Sequence, residues 1–329
     1  MKNSTKLLSL ILSFAIVLSC TLILASCGET KNETLKIGII QYMEHPSLKN
    51  CYDGIVKGLE ASGLKYTIDY QVGSANSADS DCVNFANNMV ANKVDIIFAI
   101  ATPAAKTAVT AAADTNIPVI FCAVSDPIAA GLCVSQSNPG SNTTGTSDVL
   151  DLAAQVNLIQ ALQPTVKKIG VIYTSSEENS LTNLKNFKEV CSARGIEVYA
   201  KAVQSPSDIP SAAEDVASQV DCINNFTDNN VVNQLSVVLE AANRYGIPVY
   251  GSEEEQVKNG CLASVSIDYV ALGKVTGEMG VRILNGAKCA TTPFETISDA
   301  TPVINQSVLN SFGYTVPTTY TNVVYVGQK

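Results

Sequence analysis

The chain has 329 residues, 46% hydrophobic and 16% charged, which is too apolar for a disordered or collagen-like polymer and long enough for two compact units. The formal net charge is -9, from 21 Lys and Arg against 30 Asp and Glu, and no basic run breaks that excess, so no nucleic-acid partner is expected. Trp is absent and His45 is the single histidine, which rules out His-rich metal sites and an imidazole relay anywhere else.

In chain order, Lys2 and Lys6 precede an uncharged apolar run at 7–26, LLSLILSFAIVLSCTLILAS. This is the pattern of an export signal, although the run is also long enough to remain as a membrane anchor. Its end, Leu24-Ala25-Ser26-Cys27, resembles the lipobox of bacterial lipoproteins. That implies a signal peptide at 1–26, diacylglycerol on Cys27 and a polar tether over 27–34, with two acyl chains anchoring the protein stably where one does not. Of the ten cysteines, Cys20 lies in the signal and Cys27 at the lipobox. The other eight form no CxxC pair, and Cys122 and Cys222 sit inside apolar runs, so buried free thiols are expected in preference to disulfides or metal ligands.

Strand-like runs follow at 35–40, 66–72, 94–100, 117–124, 168–173, 196–203, 220–226 and 247–251. Helical patterns separate them. Leu48, Cys51, Tyr52, Ile55, Val56 and Leu59 recur at spacings of three and four, an amphipathic stripe with Ser47 as candidate N-cap. Gly63 and Gly195 are placed to end helices in a left-handed turn. Continuous apolar strands alternating with helices predict parallel sheets covered on both faces.

The order of elements repeats. Lys36-Ile37-Gly38-Ile39-Ile40 echoes Lys168-Ile169-Gly170-Val171-Ile172, Val94-Asp95 echoes Val220-Asp221, and Ile117-Pro118-Val119 echoes Ile247-Pro248-Val249. The predicted fold is therefore α/β, with two doubly wound parallel-sheet lobes and a central cleft. The N-terminal lobe is assigned to 35–146 and 269–286, and the C-terminal lobe to 147–268 and 300–329. The chain is expected to cross between lobes near 146–148, 266–269 and 286–302. Ligands of such sheets bind beyond the carboxyl ends of the strands.

The loops at those ends, QYMEHPS, GSANSAD, ATPAA, VSDPIAA, TSSEENS, QSPSD, FTDNN and GSEEE, contain no Lys or Arg. Glu44, Asp126, Glu177, Asp228 and Glu253 give them a negative field, which disfavours phosphates and favours a ligand with an ammonium group. A carboxylate on the same molecule would sit on hydroxyls and helix N-termini near Thr102 and Ser175. Together these describe an amino acid, with Asp126, Asp228 and Glu253 as candidate ammonium partners. The same acids also suit helix caps. Tyr42 and Phe226 would either stack on a ligand ring or plug the core, and His45 would either bond the ligand or cap a helix. No GxSxG elbow or GxGxxG fingerprint occurs, so neither catalysis nor a cofactor or metal is expected. A sugar or nucleoside receptor of the same fold is the alternative, as is a receptor that reports ligand to a membrane sensor.

KIGIIQYMEHPSLKNCYDGIVKGLEASG, IATPAAKTAVTAAADTNIPVIFCAVSDPIAAGL, NPGSNTTGTSD, KIGVIYTSSEENS, TDNN, IPVYGSEEE and IDYVALGKVTGEMGVRILNGA resemble the TrpX-like branch of ABC transporter substrate-binding proteins. The resemblance implies a periplasmic-binding-protein type I fold and an aromatic amino acid (Trp, Phe or Tyr) as ligand. It also implies an ABC permease and its ATPase as partners, and a monomer lipid-anchored on the extracytoplasmic face of the cell membrane. Carried over by position, it implies that Tyr42 and His45 line one wall and that Thr102, Ser125 and Asp126 come from the first lobe. Ser175, Glu177, Asn179, Ser180, Thr227, Asp228, Asn229 and Glu253 would answer from the second. Asp148 and Asp268, after the segments GTS and VSI, are hinge candidates that also face the ligand. Phe226 departs from the smaller residue or proline that related sequences carry there.

Overall fold

The computed structural model describes residues 34–297 and 301–327; the expected signal segment and Cys27 lie outside them. The first lobe opens with β1 (Leu35–Gln41), α1 (Pro46–Glu60), β2 (Tyr66–Val72), α2 (Ala78–Ala91), β3 (Ile96–Ile100), α3 (Thr102–Ala112), β4 (Val119–Cys122) and β5 (Thr143–Ser147). The second contains α4 (Leu152–Leu162), β6 (Lys168–Thr174), α5 (Glu178–Ser192), β7 (Glu197–Val203), α6 (Ile209–Ala217) and β8 (Cys222–Asn224). It continues through α7 (Asn229–Asn233), α8 (Leu235–Tyr245), β9 (Val249–Tyr250), α9 (Glu254–Lys258) and β10 (Ala263–Ser266). After them come α10 (Tyr269–Leu284), β11 (Glu295–Thr296), β12 (Thr301–Asn305), α11 (Gln306–Phe312) and β13 (Val324–Val326).

One sheet has the order β11-β5-β4-β3-β1-β2 and a second β7-β6-β8-β9, with every neighbour parallel. A third, β10-β12-β13, prolongs the second through Leu262 N–H to Val249 C=O and Gly251 N–H to Ala263 C=O. The sequence repeats are physical equivalences. The Asp95 carboxylate accepts the Lys36 N–H, and the Asp221 carboxylate accepts the Lys167 and Lys168 N–H groups. Each aspartate thereby ties off the first strand of its lobe. Ile97 N–H donates to Pro118 C=O and Ile223 N–H to Pro248 C=O, both at 3.0 Å. Gly38 and Gly170 admit a covering helix: a Cβ there would lie 2.5 Å from Met89 Sδ and 2.3 Å from Val216 Cγ1.

The structure differs from the sequence reading at three places. Segments 143–147 and 263–266, not read as strands from the sequence, are fully buried strands that lead into the crossings expected near 146–148 and 266–269. Their Thr and Ser hydroxyls bond within the core, and the segments lack the apolar run by which strands are recognised. His45, not Ser47, occupies the N-cap position of α1, with Pro46 in the first turn, where its missing N–H costs nothing. Finally, β11 pairs with β5 inside the span expected only as a crossing. All eight described cysteines are free and buried.

α10 packs on α1 and on the first sheet. The two helices meet backbone to backbone: a Cβ on Gly54 would lie 2.2 Å from Val270 C=O, on Gly58 2.5 Å from Lys274 C=O, on Gly273 2.1 Å from Cys51 C=O and on Gly277 2.4 Å from Ile55 C=O. Both axes are fixed by these four absent side chains. Replacing Gly54 or Gly277 by Ala should therefore lower stability by about 1–3 kcal/mol through overpacking, read as a lower denaturation midpoint. An unchanged midpoint would show that the helices separate without cost.

Candidate ligand-binding site

The N-terminus of α1 and the N-terminus of α10 reach the same place as the carboxyl ends of β3, β4 and β5. Opposite them stand the loops after β6, β8 and β9. Together they line a tight cavity of about 20 Å³ between the two sides. The first sheet and its helices contribute His45, Ser47, Leu48, Ala101, Thr102, Ala123 and Ser125, and α10 adds Tyr269. The second side contributes Asn179, Thr227, Asn229, Val232, Glu253 and Gln256. Asp148 stands where the chain leaves β5. Ala101 (φ 81°) and Ala123 (φ 56°) both hold left-handed backbone next to the cavity, a conformation that costs energy without glycine and gathers at functional sites.

The lining contains no Lys or Arg. Asp148 is 2% exposed; it accepts hydrogen bonds from the Ser125 hydroxyl at 3.1 Å and the Tyr269 hydroxyl at 2.8 Å. Burial pushes it up to about 6 in spite of those bonds. Glu253 caps α9 by accepting the Glu255 and Gln256 N–H groups, and burial pushes it up to about 7. Burial likewise lowers His45 to about 4, so its imidazole is neutral at pH 7. Five side-chain atoms of the lining have no hydrogen-bond partner within the protein: His45 Nδ1, Ser47 Oγ, Thr102 Oγ1, Asn179 Oδ1 and Thr227 Oγ1. Buried polar atoms are almost always paired, and a ligand with donors and acceptors would pair these.

Of the residues expected to face the ligand, the cavity brings together His45, Thr102, Ser125, Asp148, Asn179, Thr227, Asn229 and Glu253. The remaining eight are placed elsewhere. Tyr42 is buried, and its hydroxyl donates to Asp79 at 2.9 Å. Asp126 turns away to accept the Ile128 and Ala129 N–H groups. The Ser175 hydroxyl donates to Val203 C=O. Phe226 is 0% exposed and meets Phe187 edge to face, with centroids 5.4 Å apart, so it plugs the core. Asp268 is exposed and caps α10.

Glu177, Ser180 and Asp228 form a layer behind the wall. Glu177 Oε2 accepts from Asn179 Nδ2 and from both the N–H and Nδ2 of Asn229. This bond and one to Thr227 C=O occupy Asn179 Nδ2 and leave its Oδ1 unpaired. Asp228 accepts from Thr174 N–H and hydroxyl, Ser180 hydroxyl and Val231 N–H. Burial raises both carboxyls, and the charge of Asp228 raises Glu177 further; Glu177 Oε1 has no partner within the protein. Val232, Gln256 and Tyr269 line the cavity without having been singled out in the sequence, and Ser47, read there only as a helix cap, stands in the first turn of α1.

The sequence profile of ABC transporter substrate binding proteins matches residues 36–322. The chain belongs to that family. It is 35% identical over 328 residues to a tyrosine-binding protein of Clostridioides difficile, covering 94% of this chain and 93% of the relative. The crystal structure of an ABC domain in complex with L-Trp from Streptococcus pneumonia superposes with a TM-score of 0.85 at 37% identity, over 89% of this chain and all of the other. The ligand-free, open structure of a substrate-binding protein with adhesive properties from Clostridium difficile gives a TM-score of 0.68 at 35% identity, over 90% of this chain and all of the other. The fold is that of a periplasmic-binding protein of type I.

Asp228 has four neutral donors and no surface in the cavity, so Asp228→Asn should act on the fold first. Chemical denaturation should show a loss of about 1–3 kcal/mol as the cap and the bonds to β6 are broken. A variant as stable as the parent would contradict a structural role.

Proposed function

We propose that this ABC substrate-binding protein captures a zwitterionic amino acid, an aromatic one in preference, and delivers it to a permease. The observation that carries the reading is Asp148 and Glu253 facing one enclosed cavity from its two sides with no cation in the lining. An ammonium group supplies the missing charge, while the Ser47 and Thr102 hydroxyls stand at helix N-termini suited to a carboxylate. The ammonium partners are thus Asp148 and Glu253, in place of Asp126 and Asp228. Leu48, Val232 and the Tyr269 ring supply an apolar part of the lining, suited to an apolar side chain. The names of the relatives, one binding tyrosine and one solved with L-Trp, support an aromatic amino acid over a sugar or nucleoside.

ABC substrate-binding proteins act outside the cytoplasm, and among the described residues no helix is long and apolar enough to cross a membrane. In our reading Cys27 carries the lipid that holds a monomeric protein at the outer membrane face, near its permease and ATPase. Cys27→Ala should release the protein into the medium or stall its processing, as read by membrane fractionation. Normal processing with full membrane retention would reject the anchor.

Calorimetry with L-tyrosine, L-phenylalanine and L-tryptophan tests the ligand class. Asp148→Asn or Glu253→Gln removes a charge-assisted bond worth roughly 1.5–3 kcal/mol and should weaken binding by about one to two orders of magnitude, while Asp126→Asn should bind like the parent. Tight binding of an uncharged sugar with no amino-acid binding would transfer the assignment to the alternative.

A further inference from the structure

The two sides of the cleft meet over carboxyl groups that have nothing positive to face. Asp148 is surrounded by the Ser125 and Tyr269 hydroxyls and the Cys51 thiol of α1. Glu253 is equally buried; it meets two backbone N–H groups, the Cys51 and Cys261 thiols and the carboxylate of Glu255. The imidazole of His45 is partly buried and neutral at pH 7. Glu177 and Asp228 lie behind the far wall, and Glu177 faces Tyr42 of the other side, again without a cation.

The neighbouring cations are held outside. Lys106 pairs with Glu178 across the rim at 3.9 Å, and Lys258 pairs with Glu254 and Glu255 on α9; both lysines are exposed. The two sides also touch through Asn50 Nδ2 to Glu255 Oε1 at 3.4 Å. These rim contacts are weak and solvated. Desolvating two unpaired carboxylates opposes closure far more strongly than the rim favours it.

We infer that closure of the cleft is gated by charge: the two sides come together only when Asp148 and Glu253 have been neutralised, either by the ammonium group of a ligand or by protons. This deepens the ammonium reading of the site and rests on it. Selectivity then arises at closure: a neutral molecule of suitable shape enters the open cleft but leaves the carboxylates uncompensated. In the closed form Glu253 holds its proton to about 7 and Asp148 to about 6, whereas in an open, hydrated cleft both titrate near the ordinary value of about 4. The two carboxyls bind protons more tightly in the closed form while His45, lowered to about 4, gives one up. Two gained protons against one lost make closure without an ammonium easier as pH falls from about 7 toward 4, with no dependence above that window.

The test is interlobe energy transfer in the detergent-solubilised full chain. Dyes are placed at Thr110→Cys on α3 and Leu181→Cys on α5, both exposed positions, while the eight native thiols of the described body are buried. The expected result at pH 8 is low transfer without amino acid and high transfer with L-tyrosine. Acidifying to pH 5 without amino acid should recover at least half of that change. The double variant Asp148→Asn/Glu253→Gln should already show high transfer at pH 8 with no amino acid. Low transfer in the folded double variant overturns the gate, as does high transfer in the parent at pH 8 without amino acid. If the double variant does not fold, the parent decides by its pH series, and constant transfer between pH 8 and pH 5 overturns the gate. Failure of L-tyrosine to raise transfer at pH 8 while acid does so would reject the amino-acid reading and leave the gate standing.

Discussion

Burial of carboxyl groups without a cation is the constraint on which the rest of this structure depends. Asp148, Glu177, Asp228 and Glu253 are all at most 2% exposed, and an isolated carboxylate in that position is strongly unfavourable. Two of them are made tolerable from within. Asp228 receives four donors, and Glu177 sits behind the two asparagines that it orients. The other two, Asp148 and Glu253, have surface in the cavity, and in our proposal a ligand's ammonium group or protons compensate them. The division of labour among four chemically similar side chains is thus a matter of which ones face the cavity.

The cavity exists because two helices are held by their backbones. α1 and α10 approach through Gly54, Gly58, Gly273 and Gly277, which fixes the N-terminus of each relative to the other. Ser47 and His45 at one end and Tyr269 at the other are thereby brought to the same wall. Tyr269 in turn donates to Asp148, so the residue at the exit of β5 is bonded to the helix by which the chain returns to the first sheet. Ligand recognition and the crossing between sheets share one hydrogen bond. Ala101 and Ala123 complete the wall with strained backbone, and their small side chains keep the space open.

Much of the fold was legible in the sequence because repetition of short local patterns reports local physics. The KIG, VD and IPV repeats each recur where a strand begins, is tied off by an aspartate, or accepts a neighbour's N–H, and those roles depend on residues close to them in the chain. β5 and β10 were not legible as strands because TTGTS and ASVS are short and rich in hydroxyl side chains, without the unbroken apolar run that marks a buried strand. A Cβ at Gly145 would lie 2.0 Å from Phe121 C=O, a close approach that only the assembled sheet makes visible.

For the site, the sequence by itself determined the chemistry of the loops: their acids, their small polar side chains and the lack of any Lys or Arg. Those are properties of composition at strand ends, and they survive whatever the side-chain directions. Only the tertiary structure decided which acid faces a ligand. Asp126 and Asp228 turn to backbone N–H groups two and three residues on or to a neighbouring strand, while Asp148, read as a hinge position, and Glu253, read as one of several equal acids, open onto the cavity. Tyr42 and Phe226 were equally ambiguous until their partners, Asp79 and Phe187, were in place. A side chain's direction is set by the competition between its own backbone, the core and the cleft, and two of those three are assembled from residues distant in sequence.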